Sequence, residues 1–247
     1  MPERVQPVGV HARVKKFKIG SSRLLTVKET PKIRSWLIVE PSADMATVHA
    51  AGADRLVLDL TGSPESWESV AGFCKAWAKL DPDHLPAFLL PSFASMQTEV
   101  AAEYAIRAGA VTVLLGGTRN GAEVQRLAVV LRVEELRCGR PPGSTGIVAL
   151  ADAAGMLAAA SFERCSDRLS GLGWEQDFDP LSDATRLARA TIGLAASAIG
   201  VMAIDAVSPT RNGPFQSECR IARENGFTGK LSRRLDQIQI INHIFAD

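Results

Sequence analysis

Charge of one sign is what this chain most lacks: 28 basic and 27 acidic side chains in 247 residues leave a formal net charge of +1. That balance gives no bulk attraction to nucleic acid or to an anionic membrane, so a small molecule is the expected partner. Cysteine is scarce too. Cys74, Cys138, Cys165 and Cys219 show no paired spacing and fall in or beside apolar helical patterns, which argues against zinc and disulfides and predicts buried thiols in a reducing compartment. Long apolar runs are missing as well, because charge, Gly or Pro interrupts each one well short of the roughly 20 residues a membrane helix needs. With no apolar signal core near the N-terminus, the expectation is a soluble cytoplasmic protein. His11, His49, His84 and His243 all fall outside the loops predicted to follow strands, so a hydrolytic triad has no support, and neither a Walker sequence nor a dinucleotide-binding glycine fingerprint occurs.

Residues 1–32 form a basic N-terminal arm, in which Arg4, Arg13, Lys15, Lys16, Lys18, Arg23, Lys28 and Lys32 face only Glu3 and Glu29. Such an arm is a solvated leader that packs on the domain or on a neighbouring subunit, or an anion-binding segment. From residue 33 to 247 short β-rich runs alternate with amphipathic helical patterns. The strands are predicted at 35–39, 55–60, 87–90, 110–115, 146–150, 168–172, 201–205 and 228–231. Ser42 is expected to cap the first helix and Gly52 to stop it, while Ser63-Pro64 opens the second. Ala-Gly-Ala turns at 51–53 and 108–110 return the chain to the next strand. Eight alternations predict a single-domain α/β protein, a (β/α)8 TIM barrel, ahead of an open doubly wound sheet, and place chemistry on the loops after the strands.

The end of the chain, Ser217 to Phe245, reads SECRIARENGFTGKLSRRLDQIQIINHIF. The spacing of Glu218, Cys219, Ala222, Gly226, Phe227, Gly229, Lys230, Gln237, Ile238 and Asn242 resembles the closing βα unit of the citrate lyase beta subunit and HpcH/HpaI aldolase family. That family splits carbon–carbon bonds in acyl-CoA thioesters and related acids. The resemblance implies a magnesium-assisted lyase for a small oxo or hydroxy acid, or for its CoA thioester, assembled as a homo-oligomer.

The loops match that family unevenly. Arg34-Ser35 matches its Arg-Ser entry, which makes Arg34 a catalytic candidate or a structural one. LDLTGS keeps Asp59 but has Thr61, Gly62 and Ser63 in place of Glu-Asp-Ala. Leu89-Leu90-Pro91 stands where the family carries an Arg-x-Asn motif, and a planar bidentate cation has no apolar equivalent. Gly116-Gly117-Thr118-Arg119 offers exposed amides and a cation for a substrate anion, or else a tight turn with Thr118 as helix cap.

Asp152 falls at the family's metal-binding Glu position, where it is also a competent N-cap. Glu175, Gln176 and Asp177 cover the second metal position, with neutral Gln176 on the ligand place itself. Asp205, in AIDAV, matches the family's Ala-Ile-Asp and is a third catalytic candidate beside Arg34 and Asp59. Arg233, next to Arg234, is a candidate anchor for a carboxylate or phosphate. The implied function is therefore a divergent carbon–carbon lyase with magnesium as cofactor. The alternatives are a barrel that has lost catalysis and serves as a binding or assembly subunit, and one that binds a phosphorylated ligand for unrelated chemistry.

Overall fold

Along the described chain, residues 32–175, 178–180 and 182–246 of a computed structural model, eight strands alternate with eight α-helices. All of the basic arm except Lys32 lies outside those residues. The first half runs β1 (Ser35–Val39), α1 (Met45–Ala50), β2 (Arg55–Asp59), α2 (Val70–Leu80), β3 (Ala87–Leu90), α3 (Thr98–Arg107), β4 (Thr112–Thr118) and α4 (Gly121–Arg137). The second runs β5 (Gly146–Ala151), α5 (Ala153–Leu157), β6 (Leu169–Trp174), α6 (Asp183–Ile199), β7 (Met202–Asp205), α7 (Asn212–Glu224), β8 (Gly229–Ser232) and α8 (Leu235–Ile244). Every strand pairs in parallel with the next, and β8 pairs back to β1 with Trp36 opposite Leu231, so the sheet closes into the expected barrel.

Strand alternation sorts the side chains into two cores. Trp36, Ile38, Leu89, Val148, Leu150, Ile204 and Leu231 cluster inside the barrel, while their sequence neighbours Leu37, Phe88, Ala149 and Ala203 belong to a second cluster between the sheet and the helices. Each fully buried Leu or Ile contributes about 1.5–3 kcal/mol, so both layers hold the strands in register. β6 turns Gly171 and Gly173 inward; a Cβ at Gly173 would lie 2.8 Å from both Ile204 O and Leu150 Cδ2. The same parity carries Asp59, Gly116, Glu175 and Arg233 toward the mouth, and turns Asp205 and Lys230 outward, toward the helices.

Local signals set most element ends. Gly52 and Gly109 leave their helices at φ +67° and +91°, where an L side chain is strained. Asp44, and not Ser42, caps α1 by accepting from Thr47 N, and Ser63-Pro64 opens a 3-10 turn over Pro64–Trp67 instead of α2. β4 outruns its predicted end at Leu115, continuing through Gly116-Gly117 to Thr118 with a register shift against β5. Cys74, Cys165 and Cys219 are buried free thiols, but Cys138 ends α4 in solvent, which corrects the expectation that all four are buried.

Candidate functional site

The carboxyl ends of β4, β5 and β6 are tied into one rim. Asp152 N donates to Thr118 O at 3.2 Å and Glu175 N donates to Ala151 O at 2.9 Å, which brings both carboxylates to the same stretch of the mouth. Asp152 caps α5, with Oδ1 accepting from Gly155 N at 2.8 Å. Glu175 turns back over β4, where Oε2 accepts from Gly117 N at 3.2 Å. Each keeps a second oxygen with no protein partner among the described residues. Gln176 and Asp177, the other expected metal ligands, lie outside those residues.

This geometry corrects the expected anion cradle. Gly117 N already serves Glu175, Arg119 N serves Glu123 Oε2 at 2.8 Å, and the buried Thr118 hydroxyl donates to Leu115 O at 2.7 Å. The chain's own carboxylates thus occupy the amides that an anion would need. Thr118 is not the helix cap either, because Asn120 fills that place by accepting from Ala122 N and Glu123 N. Gly116 lines the rim for a different reason: a Cβ there would stand 3.0 Å from Glu175 Oε2 and 3.1 Å from Leu90 O.

Across the mouth Asp59 ends β2, buried and fully engaged. Its Oδ1 accepts from Thr61 N and Thr61 Oγ1, and its Oδ2 accepts from Arg233 Nη1 at 2.6 Å. Asp59 is therefore a positioning residue for Arg233, whose side chain stays 44% exposed. The β3 end presents Leu89, Leu90 and Pro91, all buried.

Two candidates leave the mouth. Arg34 precedes β1 at the amino end of the barrel, where its Nε and Nη2 grip Asp54 at 2.7 and 2.8 Å and its Nη1 donates to Asn242 O. It closes the base, on the face opposite the loops, and this corrects its catalytic assignment. Asp205 is likewise corrected, since it lies behind the barrel wall with its side chain wholly buried. Its carboxylate accepts from Lys230 Nζ at 2.5 Å, from Arg189 Nε and Nη2 at 3.2 Å each, and from Trp174 Nε1 at 3.0 Å. Burial pushes its carboxyl up, but the charges of Lys230 and then Arg189 outweigh that and hold it below the usual carboxylate range. Cys219 is no nucleophile, because burial pushes its thiol up to about 12.

Sequence reasoning missed Arg189. It sits among Thr185, Ala188, Ile192, Gly193 and Ala196 on the buried face of α6, and one cation in so apolar a stripe was the available signal of a buried counter-ion.

No family model matches the sequence. It is, however, 30% identical over 253 residues to citrate lyase subunit beta of Escherichia coli K12, an alignment covering 91% of this chain and 80% of that one. The chain belongs to the citrate lyase beta subunit family. Its barrel superposes on the citrate lyase beta subunit of Mycobacterium tuberculosis with a TM-score of 0.70 at 24% identity, covering 87% of this chain and 98% of that one. CitE from M. tuberculosis in complex with magnesium, acetoacetate and coenzyme A gives 0.68 at 23% identity, covering 87% and 81%. Within this citrate lyase beta family member, the described residues hold no group of three or more His, Cys, Asp or Glu side chains placed to hold a metal ion. Two carboxylates with one open oxygen each is nonetheless a donor set that fits magnesium, which keeps most of its waters and takes one or two protein carboxylates.

Proposed function

We propose that this protein is a carbon–carbon lyase of retro-aldol or Claisen type, acting on a small oxo or hydroxy acid or its CoA thioester, with magnesium held by Asp152 and Glu175. The observation that carries this is the shared rim of β4–β6, which presents two carboxylates with open oxygens at the catalytic end of a barrel. Membership beside an E. coli citrate lyase subunit supports the reaction class. The M. tuberculosis CitE complex supports the kind of ligand: a divalent cation, a small oxo acid and a CoA moiety.

When bound, the cation supplies Lewis-acid polarisation of a carbonyl oxygen, which stabilises the enolate-like charge left as the carbon–carbon bond breaks. The chain's residues set the frame for that chemistry. Gly117 N fixes the Glu175 carboxylate, and the α5 cap fixes Asp152, so both oxygens are preorganised. Arg233, held through Nη1 by Asp59, faces the mouth as the cation that binds a substrate carboxylate. Leu89, Leu114 and Leu150 fill the barrel just below and keep its floor dry.

A second function is favoured by one feature: the apolar β3 end, where the family's arginine would stand. It is that of a binding or assembly subunit without catalysis. Malyl-, citramalyl- and citryl-CoA incubated with the pure protein and magnesium separate the two. The lyase predicts thioester cleavage that stops on chelation and in Asp152→Asn. Calorimetry showing no affinity for magnesium or manganese, with no cleavage of any of the three, would leave the assembly subunit. A homo-oligomer is part of the proposal in either case. It is supported by the exposed stripe Val129, Val133 and Leu136 on one face of α4, at 64%, 42% and 59% exposure.

A further inference from the structure

Between the barrel and helices α6 and α7 a cavity of about 610 Å³ shares Glu175 and Arg233 with the mouth, so it continues the candidate site and is not a separate one. Its remaining walls face whatever the rim and the anchor do not hold. Trp174, Phe178, Val207 and Pro209 give it more apolar surface than polar, the first two rings stack 6.4 Å apart, and Val207 is left 41% exposed. Open apolar side chains on a site wall call for an apolar ligand group.

The other charges among the described lining residues are buried or paired. Arg189 and Glu218 lie 3.9 Å apart with side chains only 4% and 3% exposed, Arg189 also holds Asp205, and Arg234 pairs with Asp236 at 2.6 Å. Arg233 is the most open of the three arginines, with its side chain 44% exposed against 28% for Arg234 and 4% for Arg189. It can take one carboxylate, but a second would have to break one of these pairs. The apolar wall is also fixed, because Gln237 of α8 donates from Nε2 to Ser208 O at 3.1 Å and Thr210 O at 2.8 Å, and Glu218 of α7 accepts from Thr210 Oγ1. The turn that carries Val207 and Pro209 is thus preorganised for a body of set size. We propose that the substrate is an oxo or hydroxy acid with one carboxylate and an apolar, ring-sized body, which lies against Trp174, Phe178 and Val207 while the carboxylate meets Arg233. This rests on the lyase reading of the mouth and adds to it the class of acid.

The test is titration calorimetry on the full-length protein with magnesium in excess, using four 2-oxo acids: pyruvate, 4-methyl-2-oxopentanoate, 3-phenylpyruvate and the dicarboxylate 2-oxoglutarate. Each apolar carbon buried is worth about fourfold, so phenylpyruvate is expected to bind at least about tenfold more tightly than pyruvate or 2-oxoglutarate, with the branched acid between it and pyruvate. Phe178→Ala is expected to cut that advantage at least about threefold. Val207→Lys puts a cation on the same wall and is expected to shift the preference from phenylpyruvate toward 2-oxoglutarate at least about tenfold. Pyruvate or 2-oxoglutarate binding as tightly as phenylpyruvate to the unaltered protein overturns the inference and leaves the lyase reading standing. An advantage for phenylpyruvate that both variants keep in full overturns its assignment to this cavity. Binding of none of the four acids overturns it too, and cleavage of the three CoA thioesters then shows whether the lyase reading survives.

Discussion

Replacing Glu135 with Gln should cost this barrel about 3 kcal/mol, and should do so only where the carboxylate is charged. Glu135, fully buried near the end of α4, accepts from Gly143 N and Thr145 N at 2.8 Å each and from Arg168 Nη1 and Nη2 at 2.8 and 2.7 Å. One side chain thereby fastens the α4 exit, the entry to β5 and the entry to β6. Burial pushes its carboxyl up, but the Arg168 pair and the Gly143 and Thr145 donors more than reverse this, lowering it from 4.5 to about 2. At about 1.4 kcal/mol per tenfold, that fall is worth about 3 kcal/mol. The loss expected from stranding a buried ion-pair partner, about 3–5 kcal/mol, agrees with it. A depressed folded-state pKa stabilises fully above 4.5, and the contribution fades as pH falls toward 2. Urea unfolding followed by circular dichroism at pH 7 should show the midpoint of Glu135→Gln down by about 1 M or more. The gap to wild type should hold down to about pH 5 and narrow below it. A gap under about 1 kcal/mol at pH 7, or one that does not change between about pH 5 and 3, would refute the ion-pair account.

Asp152→Asn keeps an oxygen for Gly155 N and should leave stability within about 0.5 kcal/mol, whereas Asp152→Ala should lose about 1 kcal/mol with the cap. Titration calorimetry should find magnesium affinity reduced at least about tenfold in both. Lys230→Met leaves Asp205 with Arg189 and the Trp174 Nε1 donor but without its short ammonium partner, and should cost about 3–5 kcal/mol in thermal or chemical unfolding. Gly173→Ala forces a methyl against Ile204 O and Leu150, and an overpacking loss of about 1–3 kcal/mol should appear in the same assay.

The fold was legible because turns and strands announce themselves locally. Gly52 and Gly109 sit where the chain needs positive φ, and the predicted strand over 35–39 begins and ends where β1 does. Side-chain direction was hidden for a physical reason. Barrel strands are buried on both faces, so AID in β7 shows no polar alternation to tell that Ile204 points in and Asp205 out. The mouth was half legible: Asp152 and Asp59 could be placed at strand ends, but hydrogen bonds across long sequence separations, Gly117 to Glu175 and Arg233 to Asp59, decide what those ends do. The Gly-Gly turn misled because glycine promises an open amide, and only the folded chain shows that Glu175 has taken it.

The buried knot around Asp205 draws Trp174 from β6, Arg189 from α6, Asp205 from β7 and Lys230 from β8, with Glu218 of α7 alongside. Opening any one of these elements exposes charges that the others cannot neutralise in a dry wall. The last three βα units are thereby coupled into one cooperative block. Their amides should exchange with solvent through a single shared opening, and that block should form the slowest-exchanging part of the barrel.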